Sequence, residues 1–329
     1  MAMSFSNASV LISSHGRSCV SFPFVSTQQQ QSGQDSPPSA PGVVITGGSR
    51  GLGFALAHEF LAHGARVSIC GRDEGRLLAA SKALQREHPH CSLSFLPCDV
   101  SAPQDVARFA LFAEETLQGN IHFWINNAGE VTSKRILTDI EPEEIVRVSN
   151  TNVTGSILCC REAVRIMKKQ PPSSFPVYHI FNMGFSRWGA KFTKSACTHK
   201  ATKIALTQLT ESLNEELKNA GITSIGVHNL SPGMVLTDLL LKDSTPVSRR
   251  FFNVLAEEPE TVAAALISRI LNVQAAGKSI EYLSPVTAFT KVLVGFPQIL
   301  KGGRFFDDKG DRVKEEGCQY QDNGVRMLF

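Results

Sequence analysis

The chain has 329 residues, 42% of them hydrophobic and 19% charged, with a formal net charge of +3. That composition describes a globular protein with a sizeable core, and the charge is too small to imply a nucleic-acid partner. Eight Cys, scattered singly or as the pair Cys159-Cys160, have no metal-ligand spacing, so no metal site and no disulfide framework are expected.

Residues 1–42 stand apart from the rest. They hold eleven Ser, the run Gln28-Gln29-Gln30-Gln31, one Arg and one acid. A Ser-rich, acid-poor amino end reads as a chloroplast transit peptide. The plainer alternative is a tail too polar to bury a core. No uninterrupted apolar run is long enough for an obvious bilayer-spanning helix.

From Val43 onward, strand-length apolar runs alternate with segments of helical period. Val43-Val44-Ile45 begins the series, and 66–70, 92–96, 122–125, 177–181 and 224–228 continue it. Helical stretches fall near 74–87, 103–118, 142–168 and 199–219. That alternation predicts one α/β domain, a doubly wound parallel sheet of the Rossmann type, over about 43–300. Its last part, about 231–285, is rich in Leu and Phe and reads as an apolar substrate lobe. Residues 301–329 are polar and Gly-rich, and a loosely held tail is expected there.

Thr46-Gly47-Gly48-Ser49-Arg50-Gly51-Leu52-Gly53 joins the first strand to the first helix. Glycines 47, 51 and 53 permit a tight turn and let backbone approach a pyrophosphate at the helix's positive end. The second strand ends in Gly71-Arg72, where an NAD enzyme usually carries a ribose-binding acid. Arg50 and Arg72 together suit the 2′-phosphate of NADP, although either alone reads equally as solvated surface.

These motifs, with Cys98-Asp99-Val100, Asn126-Asn127-Ala128-Gly129, Asn152 with Gly155, and Ser231-Pro232-Gly233, resemble the short-chain dehydrogenase/reductase family in order and spacing. The resemblance implies that Asp99, beside Val100, holds the adenine amino group. It places Asn126, Ala128 and Gly129 along the adenosine wall. Pro232, Gly233, Val235 and Thr237 fall at the nicotinamide, with Thr237 on the carboxamide. It also implies a carbonyl reductase whose Tyr donates a proton, with a Lys four residues later, a Ser orienting the carbonyl and an Asn completing the relay. Asn152 and Lys203 match, and Ser186 fits the Ser by lying 13 residues before His199, although Phe185 occupies the place counted from the strand end. The Tyr position holds His199.

Further phrases, among them Val227-His228-Asn229-Leu230 and Phe251-Phe252-Asn253-Val254-Leu255, are similar to plant chlorophyll b reductases of the non-yellow-colouring-like type. That likeness implies reduction of the 7-formyl group of chlorophyll(ide) b with NADPH in the chloroplast, at the thylakoid surface. It also implies a homo-oligomer through the long helices. Members with intact motifs carry Tyr in place of His199.

A neutral imidazole is a chemically plausible acid, but its ring ends about 3 Å short of a Tyr hydroxyl, so a water would have to bridge. Three readings stand. The chain is a reductase working through His199 or a water; or a non-catalytic NADPH-binding subunit of an active paralogue; or a reductase of another bulky apolar ketone or aldehyde. A basic cluster of Arg187, Lys191, Lys194 and Lys200 suits a propionate or an anionic lipid face, and equally a solvated surface.

Overall fold

The computed structural model describes residues 40–186 and 195–327. The expected leader therefore lies outside the described residues but for its last three, as do Arg187, Lys191 and Lys194. Strands β1 (Gly42–Thr46), β2 (Arg66–Gly71) and β3 (Leu93–Pro97) alternate with helices α1 (Gly51–Ala62), α2 (Glu74–Glu87) and α3 (Pro103–Thr116). Then follow β4 (Ile121–Asn126), α4 (Pro142–Ser149), a π-helical turn at Asn150–Thr154, α5 (Gly155–Met167) and β5 (Tyr178–Met183). Next come α6 (Cys197–Asn219), β6 (Ile225–Ser231) and the short β7 (Met234–Val235). Helices α7 (Asp238–Leu241) and α8 (Pro246–Leu255), strand β8 (Ala256–Glu257), α9 (Pro259–Leu271), β9 (Ser279–Glu281) and α10 (Pro285–Lys301) complete the series.

The seven-stranded sheet has the order β3-β2-β1-β4-β5-β6-β9, and every pairing in it is parallel. The expected doubly wound α/β fold is what the chain adopts. Apolar runs without alternation arise because both faces are covered. Val43 and Ile45 pack with α1, α2 and α9, whereas Val44 packs with α3, α5 and Trp124. The chain steps outward from β1 to β3 and returns to β4 on β1's other side. The carboxyl ends of β1 and β4 therefore flank a switch point, where an open sheet forms a crevice.

The expected single helix over 142–168 is interrupted by the π turn, which is where Asn152 sits. The tail needs a larger correction. Phe305, Phe306 and Val325 are buried with Phe252, Leu236 and Leu241 in a third apolar cluster. Asn253, fully buried on α8, donates to the Phe306 carbonyl and accepts from the N–H groups of Phe305 and Phe306 at 2.7–2.8 Å. Arg312 pairs with buried Glu258, and Arg326 with Glu260. Polar composition concealed a segment held by charge and backbone hydrogen bonds.

Two His sit side by side in the sheet. Lys278 N–H donates to His228 Nδ1, so Nε2 carries the proton and donates across 3.0 Å to His179 Nδ1. Burial, and then the neighbouring cationic groups, hold His179 down to about 4 and His228 to about 3. The unfolded chain takes up protons near pH 6.5 that the fold refuses, so stability falls as pH drops below about 6.5. Each histidine should cost about 2 kcal/mol between pH 6.5 and 5. Urea unfolding at both pH values should show the loss, and His228→Leu should shrink it; an unchanged slope in that variant would reject the assignment.

Candidate active site

The loop after β1 meets the amino end of α1 with backbone rather than side chains. Gly47 and Gly51 have φ of +67° and +53°, the left-handed region that favours glycine. A Cβ on Gly47 would lie 2.9 Å from Ala128 Cα, and one on Gly53 only 2.2 Å from the Gly47 carbonyl oxygen. No side chain caps α1, and its first turn holds no acid. Its open N–H groups and positive end therefore suit a pyrophosphate.

This loop forms one end of a cavity of about 2270 Å³. Gly47, Ser49, Arg50, Gly51, Leu52 and Arg72 line it, as do Asp99, Val100, Ala128 and Gly129. Pro232, Gly233, Val235 and Thr237 line it further along. Three residues expected at the dinucleotide do not reach it. Thr46 is buried, its hydroxyl accepting from the N–H groups of Asn127 and Ala128 at 3.1 and 3.0 Å. It ties the ends of β1 and β4 together. Gly53 is a packing position beneath the loop. Asn126 is buried in a polar chain, accepting from Trp124 Nε1 at 2.9 Å and donating to Asn182 Oδ1 at 2.8 Å. Strand alternation turns Asn126 inward, and Asn127 takes the cavity wall instead.

Four cations unremarked in the sequence also line the cavity, Arg76, Lys134, Arg135 and Arg326. Asp73, the acid directly after Arg72, is occupied as the cap of α2, accepting from Arg76 N and Nε at 2.9 Å. Arg50 pairs with Asp238. Arg72 Nη1 lies 2.5 Å from Glu130 Oε1, without hydrogen-bond alignment, and Arg147 pairs with the other oxygen of that carboxylate. Glu130, nearly buried, was invisible as a partner because no local pattern links it to Arg72.

His199 and Lys203 share one face of α6, four residues apart, and both line the cavity with Ser186. Ser186 N–H donates to Ser231 Oγ at 3.2 Å. Asn152 is fully buried and does not line the cavity. Its amide accepts from Glu130 N–H at 2.8 Å and donates to the Glu130 carbonyl and to Thr202 Oγ at 2.9 and 3.0 Å. It thereby fixes the segment against which His199 rests.

His199 Nδ1 is 3.4 Å from that same Glu130 carbonyl. A carbonyl only accepts, so Nδ1 carries the proton and Nε2 keeps its lone pair. Burial, then the Lys203 ammonium, depress His199 to about 4, against a smaller opposing effect of the Glu130 carbonyl. Burial likewise lowers Lys203 to about 8. At neutral pH the imidazole is an acceptor toward the cavity, and the ammonium is the acid beside it. No Tyr among the described residues lines the cavity; Tyr178, for one, donates to the Pro171 carbonyl.

Away from the glycine loop the wall turns apolar, with Phe251, Phe252, Leu255, Leu283, Phe289 and Val292. Ligand pockets are ordinarily about 300–1,000 Å³, so this cavity has room for a dinucleotide and a bulky second molecule.

Residues 42–246 match the family described as short chain dehydrogenase. The chain is 38% identical over 286 residues to the probable chlorophyll(ide) b reductase NYC1, chloroplastic, of Oryza sativa subsp. japonica, covering 82% of this chain and 55% of that protein. It spans only about half the length of such NYC1 relatives. It is 36% identical over 280 residues to the chlorophyll(ide) b reductase NOL, chloroplastic, of Arabidopsis thaliana, covering 83% of this chain and 78% of that one. A Burkholderia cenocepacia short chain dehydrogenase solved with NADP superposes with a TM-score of 0.61 at 24% identity, over 73% of this chain and 96% of that one. At that identity the likeness speaks for the fold. A match that runs from the first strand into the apolar lobe, on a sheet of this order, makes the chain a member of the short-chain dehydrogenase family.

Proposed function

We propose that the protein is an NADPH-dependent reductase of the 7-formyl group of chlorophyll(ide) b, working in the chloroplast. The observation that carries this reading is the cavity of about 2270 Å³, in which a glycine loop, with Arg50, Arg72 and Arg76, leads to an apolar wall. The relatives named as chloroplastic chlorophyll(ide) b reductases support the substrate and the location.

When bound, the dinucleotide supplies two electrons and one hydrogen to the formyl carbon, and the carbonyl oxygen then needs one proton. His199 cannot give it directly, since its cavity-side nitrogen is unprotonated. A water that accepts from the Lys203 ammonium and donates one hydrogen to His199 Nε2 would give its other hydrogen to the oxygen and take a proton from Lys203, which solvent then reprotonates. Ser186 orients the carbonyl, while Asn152 and Glu130 hold His199 in place. Single-turnover absorbance with chlorophyllide b and NADPH tests the reading directly; an unchanged formyl spectrum would reject it.

A second reading, a nucleotide-binding subunit without turnover, is favoured specifically by the neutral, low-pKa His199. Both readings place Arg72 at the 2′-phosphate, where it would exchange Glu130 for the ligand. NADPH should bind well over tenfold more tightly than NADH, with Arg72→Ala erasing most of the difference. Titration by fluorescence measures both, and equal affinities in the unmodified protein would refute the cofactor choice.

A further inference from the structure

Helix α10 has two unlike sides. Ala288, Gly295 and Ile299 are buried. The helix crosses α8 so closely that a Cβ on Gly295 would lie 2.7 Å from Val254 Cγ2. The opposite side is apolar and open. Val286, Phe289, Leu293, Val294, Phe296 and Leu300 are each more than half exposed, Val294 by 83%. Isolated exposed apolar residues are ordinary, but six on one 17-residue helix make a continuous patch.

The patch runs on into the cavity. Val247 and Phe251 of α8 are exposed beside it, and both line the cavity together with Phe289. The charge on the helix itself is cationic. Between Tyr282 and Phe306 there is no acidic residue, while Lys291, Lys301 and Arg304 lie on or just beyond the helix; Asp307 and Asp308 follow, their backbone against Gly302 at the helix end. Lys291 and Arg304 face Glu257, and Lys301 stands exposed at the helix end.

A helix this short falls below the ~20 residues that cross a bilayer, and no described helix is long and apolar enough to do so. An apolar face edged by cations lies instead in the plane of an anionic lipid surface. A second copy fits the patch less well. Two-fold pairing would bring like charges together and close the cavity mouth.

We propose that α10, with Val247 and Phe251, docks the protein on an anionic bilayer so that the cavity opens into the membrane. This rests on the surface alone and holds whichever carbonyl is the substrate.

The test is flotation of the full chain with phosphatidylcholine vesicles, with and without phosphatidylglycerol. Val294→Glu with Leu300→Glu removes the face, since both residues are exposed and neither lines the cavity. Leu111→Glu, equally exposed on α3, is the control. Salt-sensitive binding to the anionic vesicles is expected, falling about tenfold or more in the double variant and unchanged in the control. Melting temperature and NADPH affinity should stay level in all three. Failure of the unmodified chain to float, or flotation of the double variant at full strength, would overturn the proposal. So would a dimer in sedimentation velocity that only the double variant splits, without vesicle binding; the patch would then be a self-interface.

Discussion

His199→Tyr is expected to raise single-turnover conversion of chlorophyllide b by about 10²–10⁴-fold, the range of a well-placed general acid. The phenol would extend past the position of the imidazole toward the carbonyl. Lys203, one turn along the same face of α6, would lower the phenol's pKa electrostatically. Asn152 already holds the Glu130 backbone behind it. His199→Phe separates the two readings, because a ring without nitrogen cannot position the water. If the unmodified chain and both variants bind NADPH and none converts the formyl group, the reductase reading fails. The binding-subunit reading would then lead.

The second large effect concerns stability. Arg312→Ala is expected to destabilise the fold by about 3–5 kcal/mol, because it leaves Glu258 buried without its cation. The guanidinium is only 5% exposed and lies 5.0–5.5 Å from the centres of the Phe305, Phe306 and Tyr320 rings. Burial already raises the pKa of Glu258 despite the attraction of Arg312. Removing the cation therefore leaves a carboxyl that must either protonate or drag water inward. Pairing Arg312→Met with Glu258→Gln should restore a large part of the loss, since no charge then stays buried. Urea unfolding at pH 7 decides this, and a single-variant loss below about 1 kcal/mol would show the tail to be a weak attachment.

What the sequence made legible is what is written locally. The first five strands and the glycine loop stand within a residue or two of their expected places, and the sixth runs three residues past its expected end, because apolar runs and turn glycines report on their own neighbourhood. His199 and Lys203 were readable as a pair from helical spacing alone. The π turn at Asn150–Thr154 was not, since it answers to Glu130, some 20 residues earlier in the chain. Asn126 and Asn127 are adjacent amides, and only the register of β4 decides which one faces the cavity. The tail escaped notice for a related reason. Its anchors, Asn253 and Arg312, are polar residues whose partners lie more than 50 positions away.

The order in which the sheet is written has a consequence for synthesis. An interior strand, β1, comes first, and the edge strand β9 is added only at Ser279–Glu281. Part of the cavity's apolar wall is later still, namely Leu283, Phe289, Val292 and Val325. A ribosome-bound chain can therefore assemble the nucleotide end while Phe251 and Phe252 still lack their cover. Emergence of the segment through Val325 is what completes the chamber. Until then the emerging protein carries a greasy, unfinished surface, the kind of nascent intermediate that invites aggregation or a chaperone.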